Sequence, residues 1–592
     1  MIRANKRAST VAGMALLACC ALLLLFGSRA RGRTPARAVP AGVQFEDVTT
    51  TAGIHFRHHS GAYGAKLMPE TVGSGVAFLD YDQDGWMDLL YVDSAEWPER
   101  HSAANTTHPV LYRNLGNGTF ADVTRQAHLN FEQYGMGIAT GDFDNDGDTD
   151  LFLTAIGPNH LMRNRGDGTF EECTHAAGVE GLKVEPGGTR WKWSSSAAWV
   201  DYDRDGHLDL VVLNYVKWTR ENDVWCGAPH MKAYCGPTAY EGVPPTLYHN
   251  RGNGTFEDVT HAMGMDRKIG KGFGIATADY NGDGWPDLAI ANDGEPNFLY
   301  LNRAGKRFED AGGPAGIAVS DSGKVKAGMG IDCADWRNEG RFGLLIGNFA
   351  RECLSLYRNE GSTRFTDEAY PAGLGDASQL FLTFGAFFFD FDNDGWQDAF
   401  AGNGHIDDFV NHNDSAISYQ QRPLIFHNER AGHFREVGTS LGPAPQEKLV
   451  IRGTTYGDFD NDGDLDVALV WNNEKGLLWR NDGGNRKHWA GFLLEGRKSN
   501  RDGIGAVIRL TAGGITQSQV RKSGGSFLSE AHPRVLFGMD AAQTAEVEIL
   551  WPSGTRTQLH NLPADHYYRV VEGADRAEPV SPHPPSSQPS QP

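Results

Sequence analysis

Short apolar runs, each four or five residues long, punctuate this chain in a fixed internal order. Gly75-Val-Ala-Phe-Leu79 and Gly137-Ile-Ala-Thr140 are two of them. Each is followed by an acidic loop, and beyond the loop comes a segment that first reads Leu111-Tyr-Arg-Asn114-Leu-Gly116-Asn-Gly118-Thr-Phe120-Ala-Asp122-Val-Thr124. That segment returns at Leu161, Leu247 and Leu299, and in weaker form at Leu356, Leu424 and Leu477. Runs this short, bounded by turn residues, read as strands, and the Gly-x-Gly step reads as a hairpin. The predicted order is strand, acidic loop, strand, strand, hairpin, strand. Four antiparallel strands per repeat define a propeller blade, so the fold expected over residues 43–485 is all-β, a seven-bladed β-propeller.

The ends of the repeat region point to closure. The seventh repeat stops at Asn481-Asp-Gly-Gly484 without its last strand, and the missing pattern stands at the front as Phe45-Glu-Asp-Val-Thr49. The N-terminal segment is therefore expected to complete the last blade and leave no open edge. A linear solenoid of the same units would need no borrowed strand.

The acidic loops begin at Asp80, Asp142, Asp201, Asp279, Asp335, Asp390 and Asp458, with spacings of 62, 59, 78, 56, 55 and 68 residues. Their register is D-x-D-x-D-G-x-x-D. Carboxylates at positions 1, 3, 5 and 9, with a backbone carbonyl at position 7, make the oxygen-rich set that Ca²⁺ takes, and glycine at position 6 permits the sharp turn. Asp, Asn and Gly also form ordinary turns. That explains one or two such loops, not a fixed register in five. The expected ligands are Asp80, Asp82, Asp84 and Asp88; Asp142, Asp144, Asp146 and Asp150; Asp201, Asp203, Asp205 and Asp209; Asp390, Asp392, Asp394 and Asp398; and Asp458, Asp460, Asp462 and Asp466. In the fourth loop Asp279, Asn281, Asp283 and Asp287 keep the set with one amide oxygen. The fifth loop places Arg337 and Gly343 at two ligand positions and is expected to hold no metal. About six Ca²⁺ sites are therefore expected.

Residues 486–572 lack acidic loops but alternate apolar runs, such as Ala506-Val-Ile-Arg-Leu510 and Val547-Glu-Ile-Leu-Trp551, with Gly-rich turns. They read as a small β domain, and residues 573–592, rich in Pro, Ser and Gln, read as disordered. At the front, Arg3, Lys6 and Arg7 precede an apolar run from Val11 to Phe26 and a basic stretch ending Ala36-Arg37-Ala38. Residues 1–38 thus read as a signal peptide, with an uncleaved membrane anchor as the competing reading. An exported protein, periplasmic, cell-surface or secreted, follows from either. In an oxidising compartment Cys226 and Cys235, nine apart, are expected to pair, against the alternative of two buried thiols. The net charge of −21 includes seven Lys/Arg and no acid in the first 38 residues, which leaves −28 for the rest. Such a chain repels nucleic acid.

The repeats resemble the integrin-type FG-GAP, or VCBS, repeats. Asn500-Arg-Asp502-Gly-Ile-Gly505-Ala, Ser523-Gly-Gly-Ser-Phe-Leu-Ser529 and Trp551-Pro-Ser-Gly554 resemble the ASPIC/UnbV domain that follows such repeats in the cartilage acidic protein family. The resemblance spans about residues 43 to 572. It implies an exported calcium-binding propeller used in adhesion or matrix contacts, with one branch tied to enediyne biosynthesis. Two functional readings follow. The first is a non-enzymatic binding or adhesion protein for a protein or glycan ligand. The second is an enzyme or accessory protein of secondary metabolism or glycan processing that uses the axial cavity. His55, His58, His59, Glu70 and His405 are the ionisable candidates outside the loops, though ordinary loop and surface roles explain them as well. Arg165-Gly166-Asp167 and the sequons at Asn117 and Asn253 fall on the repeat's own hairpin turn and need no further explanation.

Overall fold

The computed structural model describes residues 42–100, 106–181, 183, 192–430 and 432–580. The N-terminal signal or anchor segment and residues 581–592 lie outside the described residues. Among the described residues, seven four-stranded antiparallel sheets occupy the repeat region. Blade 1 is built from Val76–Leu79, Asp88–Tyr91, Val110–Asn114 and Phe120–Asp122. Blades 2 to 6 follow the same plan, with first strands Gly135–Gly141, Ser194–Val200, Gly272–Ala278, Ile331–Ala334 and Thr383–Phe389. Blade 7 joins Ile451–Gly457, Asp466–Trp471 and Gly476–Asp482 to the N-terminal strand Gln44–Asp47, in the register Gln44↔Asp482 to Asp47↔Trp479. The first strands touch in order around the ring, and that of blade 1 touches that of blade 7. The fold is a closed propeller, and the borrowed strand sits where the repeat pattern requires it.

These strands form because both faces of the inner ones are covered. The first and second strands of blade 1 are buried at every position, whereas the fourth is buried only at Phe120. A ring of asparagines then ties blade to blade. An Asn at or near the end of each third strand donates through Nδ2 to the carbonyl of loop position 2 in the preceding blade. The pairs are Asn114 to Phe459, Asn164 to Tyr81, Asn250 to Phe143, Asn302 to Tyr202, Asn359 to Tyr280, Asn428 to Trp336 and Asn481 to Phe391, at 2.7 to 2.9 Å. Asn302 Nδ2 also donates to the Pro286 carbonyl at 3.2 Å. Replacing Asn302 with Ala strands two carbonyls, at a cost of about 1–3 kcal/mol each. A denaturant midpoint unchanged in Asn302→Ala would show that the ring of amides contributes nothing.

The C-terminal domain has two four-stranded sheets around Phe492, Ile508, Leu510, Phe537, Val547, Ile549 and Trp551. One sheet gains an edge strand, Glu578–Val580, which pairs with Tyr567 to Arg569. The segment after residue 573, read from its composition as disordered, is thus ordered at least to residue 580, because the sheet edge offers it backbone partners. The domain sits on the face formed by the acidic loops. Asp142 N donates to Asp502 Oδ2 at 2.9 Å, Arg204 Nε to the Pro552 carbonyl at 2.6 Å, and Arg534 Nη2 to the Gly85 carbonyl at 2.6 Å.

From this domain residues 523–530 reach into the propeller axis. Gly525 N donates to the Ile275 carbonyl, Ile331 N to the Ser526 carbonyl and Ile138 N to the Leu528 carbonyl, at 3.0, 3.0 and 3.1 Å. Trp199 N donates to Ser523 Oγ, Glu530 N to the Val76 carbonyl, and Thr455 Oγ1 to the Glu530 carbonyl. Phe527 packs edge-on against Phe384 with ring centroids 4.9 Å apart. All seven blades therefore touch this finger. Gly75 is required for its passage, since a Cβ there would lie 1.7 Å from the Leu528 carbonyl oxygen.

Candidate metal centres

Each acidic loop is shaped by two left-handed residues. Positions 4 and 6 have positive φ, for example Asn145 at 61° and Gly147 at 101°. Asparagine and glycine tolerate this region best. The turn brings the amide of position 6 onto the carboxylate of position 1 in all seven loops, as in Gly85 N to Asp80 Oδ2 at 3.0 Å and Gly340 N to Asp335 Oδ2 at 2.7 Å. Position 9 is a backbone clamp. Asp88 Oδ2 accepts from Tyr81 N at 3.1 Å and Oδ1 from Asn114 N at 2.8 Å, so the carboxylate fixes the loop to the third strand.

What remains after these bonds is a set of oxygens without partners. Oδ1 of Asp80, Asp82, Asp144, Asp201, Asp203, Asp392 and Asp460 is buried and accepts no hydrogen bond. Asp80, Asp82 and Asp88 each place a carboxylate oxygen within 4.8 Å of the others, as do Asp142, Asp144 and Asp146, and Asp201, Asp203 and Asp205. Burying unpartnered, like-charged carboxylates is costly, and a divalent cation offsets that cost. The residues present fit a hard cation bound by oxygen.

The loops are not equivalent. In the fourth, Asn281 Nδ2 donates to Asp283 Oδ2 at 2.9 Å, and Asp283 is exposed while Asn281 is half-buried. In the fifth, cations of the chain itself enter the cluster. Arg358 Nη2 and Arg341 Nη2 lie 3.0 and 3.1 Å from Glu339 Oε2, and Arg337 reaches Glu368. In blade 1, Arg113 sits beside the loop, with Nε 2.7 Å from Asp82 Oδ2. In blade 3 the corresponding residue is His249, 3.1 Å from Asp209 Oδ1.

Burial, more than the neighbouring carboxylates, pushes Asp80 and Asp201 up to about 7 and Asp142 up to about 8. An acid whose folded pKa exceeds its unfolded value near 4 binds more protons when folded, so its charged form destabilises the fold. In chelator the melting temperature should therefore fall as pH rises from about 5 to about 8. Saturating divalent cation should flatten that dependence. A melting temperature that climbs with pH in chelator would contradict this electrostatic picture.

The histidine and glutamate candidates do not converge. His58 is buried, with Nε2 3.2 Å from Ser94 Oγ, while His59 pairs with Asp93 at 2.8 Å. Glu70 accepts from Tyr234 OH and Trp97 Nε1, and His405 Nδ1 accepts from Asp407 N. His55 is exposed. Among the described residues, no hydrogen bond or ion pair joins one of these five to another. Cys226 and Cys235 form a disulfide with Cα atoms 5.3 Å apart.

The ring, the acidic loops and the appended β domain define a class. FG-GAP-like repeat models match residues 80–153, 142–212, 238–290 and 279–346, and the ASPIC and UnbV model matches residues 496–577. The chain thus joins FG-GAP-like repeats to a C-terminal ASPIC/UnbV domain. Among curated relatives it is similar to cartilage acidic protein 1 of Homo sapiens, 23% identical over 82% of this chain and 70% of that protein. Cartilage acidic protein 1 of Xenopus tropicalis is 25% identical over 82% of this chain and 71% of that protein. Among solved structures, a lectin of Agrocybe aegerita that recognises non-reducing terminal N-acetylglucosamine aligns with a TM-score of 0.37 and 16% identity, over 61% of this chain and 79% of that one.

Proposed function

We propose that this chain is an exported, calcium-loaded β-propeller that acts as a non-enzymatic binding protein for a protein or glycan, through the face away from its acidic loops. The asymmetry of the two faces carries this reading. The loop face is occupied by the chain's own C-terminal domain, and the axis is filled from that side by Phe527 and Leu528. In an antiparallel blade the connections between second and third strands emerge at the other end. There the insertion of blade 3 presents Trp225 and Met231, 60% and 57% exposed, beside the Cys226–Cys235 disulfide. Exposed aromatic and Met side chains of this kind anchor partners. A cavity of about 240 Å³ opens on the same face, lined among others by Cys235, Tyr215, Phe273, Asp293 and Glu352.

Calcium is the reading for the loops because their donors are oxygens and because extracytoplasmic calcium suits sites of modest affinity. Export is supported by the basic and apolar N-terminal pattern and by the disulfide. The name of the similar proteins associates them with cartilage, in keeping with export. The test is a screen of purified protein against glycans and envelope proteins, with Trp225→Ala/Met231→Ala beside the wild type. Ligand binding should weaken by on the order of tenfold or more in the variant with melting unchanged. Binding that survives the variant and is lost on altering the C-terminal domain would contradict the assigned face.

Asp293 and Glu352 favour the second reading, an enzyme of glycan processing or secondary metabolism. They share the cavity, burial pushes Asp293 up to about 6, and Tyr215 OH donates to it at 2.6 Å. Hydrolysis of aryl glycosides that Asp293→Asn abolishes would move the balance to that reading.

A further inference from the structure

Blade 6 departs from the other loops in one side chain. His427, on the third strand Leu424–Asn428, is only 3% exposed. Neither Nδ1 nor Nε2 has a hydrogen-bond partner, and Oδ1 of the facing Asp392 is likewise buried without one. His427 Nε2 lies 3.7 Å from Asp392 Oδ2, too far for a hydrogen bond. One ligand atom each from Asp392, Asp394 and His427 falls within 4.8 Å of the others. In blades 1, 2, 5 and 7 the same strand position holds Arg113, Arg163, Arg358 and Arg480, and in blade 4 it holds Leu301. Blade 3 has His249, but that ring is already bonded to Asp209 and is about a quarter exposed.

An imidazole buried with both nitrogens unsatisfied costs stability unless something takes a lone pair. A cation with affinity for nitrogen meets the need, and calcium, which selects oxygen, does not. Resting on the reading that the acidic loops are metal sites, we propose that the sixth loop takes a divalent first-row transition ion of the Zn²⁺ type, held by Asp392, Asp394 and His427, in preference to Ca²⁺. Lys487 stands at its mouth, with Nζ 2.7 Å from Asp392 Oδ2. The ammonium supplies positive charge to the outer oxygen and competes with the ion for it.

The experiment titrates Zn²⁺ into the chelator-treated full chain in saturating Ca²⁺, and records anomalous scattering on either side of the zinc edge from crystals grown with both ions. The expected result is one Zn²⁺ site tighter than any other, with a peak about 2.0–2.1 Å from a His427 nitrogen. His427→Gln should weaken it by on the order of tenfold or more, with melting in Ca²⁺ unchanged. Lys487→Met should tighten it, and decides the matter together with the anomalous peak if the histidine variant fails to fold. Equal Zn²⁺ uptake by wild type and His427→Gln, or no zinc peak in the sixth loop, overturns the proposal. A histidine-dependent zinc site in a chain that takes up no Ca²⁺ anywhere would support it while refuting the calcium reading of the other loops.

Discussion

Replacing Phe527 and Leu528 together with alanine is expected to cost more than about 4 kcal/mol of stability. Burial sets that scale, since Phe→Ala in a core costs about 3–5 and Leu→Ala about 2–5 kcal/mol, with neighbours not strictly additive. Phe527 is fully buried and meets Phe273 and Phe384 edge-on at 5.3 and 4.9 Å, while Leu528 is 1% exposed. Among the described residues, the surrounding strands are fixed by their own ladders and do not move in to fill the space that the two side chains vacate. The denaturant midpoint of the double variant measures the effect. A loss below about 1 kcal/mol, the scale of an ordinary surface change, would mean that the finger rests on the ring rather than in it.

Deleting residues 39–50 should open the ring. Phe45 is fully buried between Phe389 and Phe391, with centroids 6.4 and 6.3 Å away, and its amide donates to the Leu441 carbonyl at 2.8 Å. Val48 N donates to the Leu478 carbonyl at 3.0 Å. Loss of the segment removes a Phe from the core and leaves Gly476–Asp482 as a bare edge, which invites pairing with a second chain. The melting temperature should drop sharply and light scattering should report oligomers. A monomeric truncation with unchanged melting would contradict closure by this strand.

Much of this architecture is legible in the sequence because the determinants are local. Each strand is bounded by its own Asp/Gly loop or Gly-x-Gly hairpin, and the Phe-x-Asp-Val-Thr pattern marks the borrowed strand wherever it stands. The two cysteines of the blade 3 insertion are close enough in sequence to find each other. What escapes is set by partners far away along the chain. Ser523–Glu530 is short and glycine-rich, and only strands some 75 to 450 residues earlier show it to be buried. The repeated Asn of the third strand is visible as a letter, but its acceptor lies in the preceding blade. The repeat marks the positions of the acidic loops; it does not reveal that the C-terminal domain covers them. Nor does it show that position 9 is a clamp for two amides. His427 sits in a slot usually filled by arginine, a signal that a repeat-by-repeat comparison of the third strands would have exposed.

The central claim is that the acidic loops are cation sites whose charge the fold was built around, that the fifth is not one of them, and that in the absence of a transition ion the sixth takes Ca²⁺ like the rest. Calorimetric titration of chelator-treated protein with Ca²⁺ tests it most directly, using wild type, Asp142→Ala and Asp335→Ala. The account predicts about six sites of the modest affinity typical of extracellular modules in the wild type, one fewer in Asp142→Ala, and no change in Asp335→Ala. Equal loss of sites in both variants, or a wild-type melting temperature that chelator leaves untouched, would contradict it.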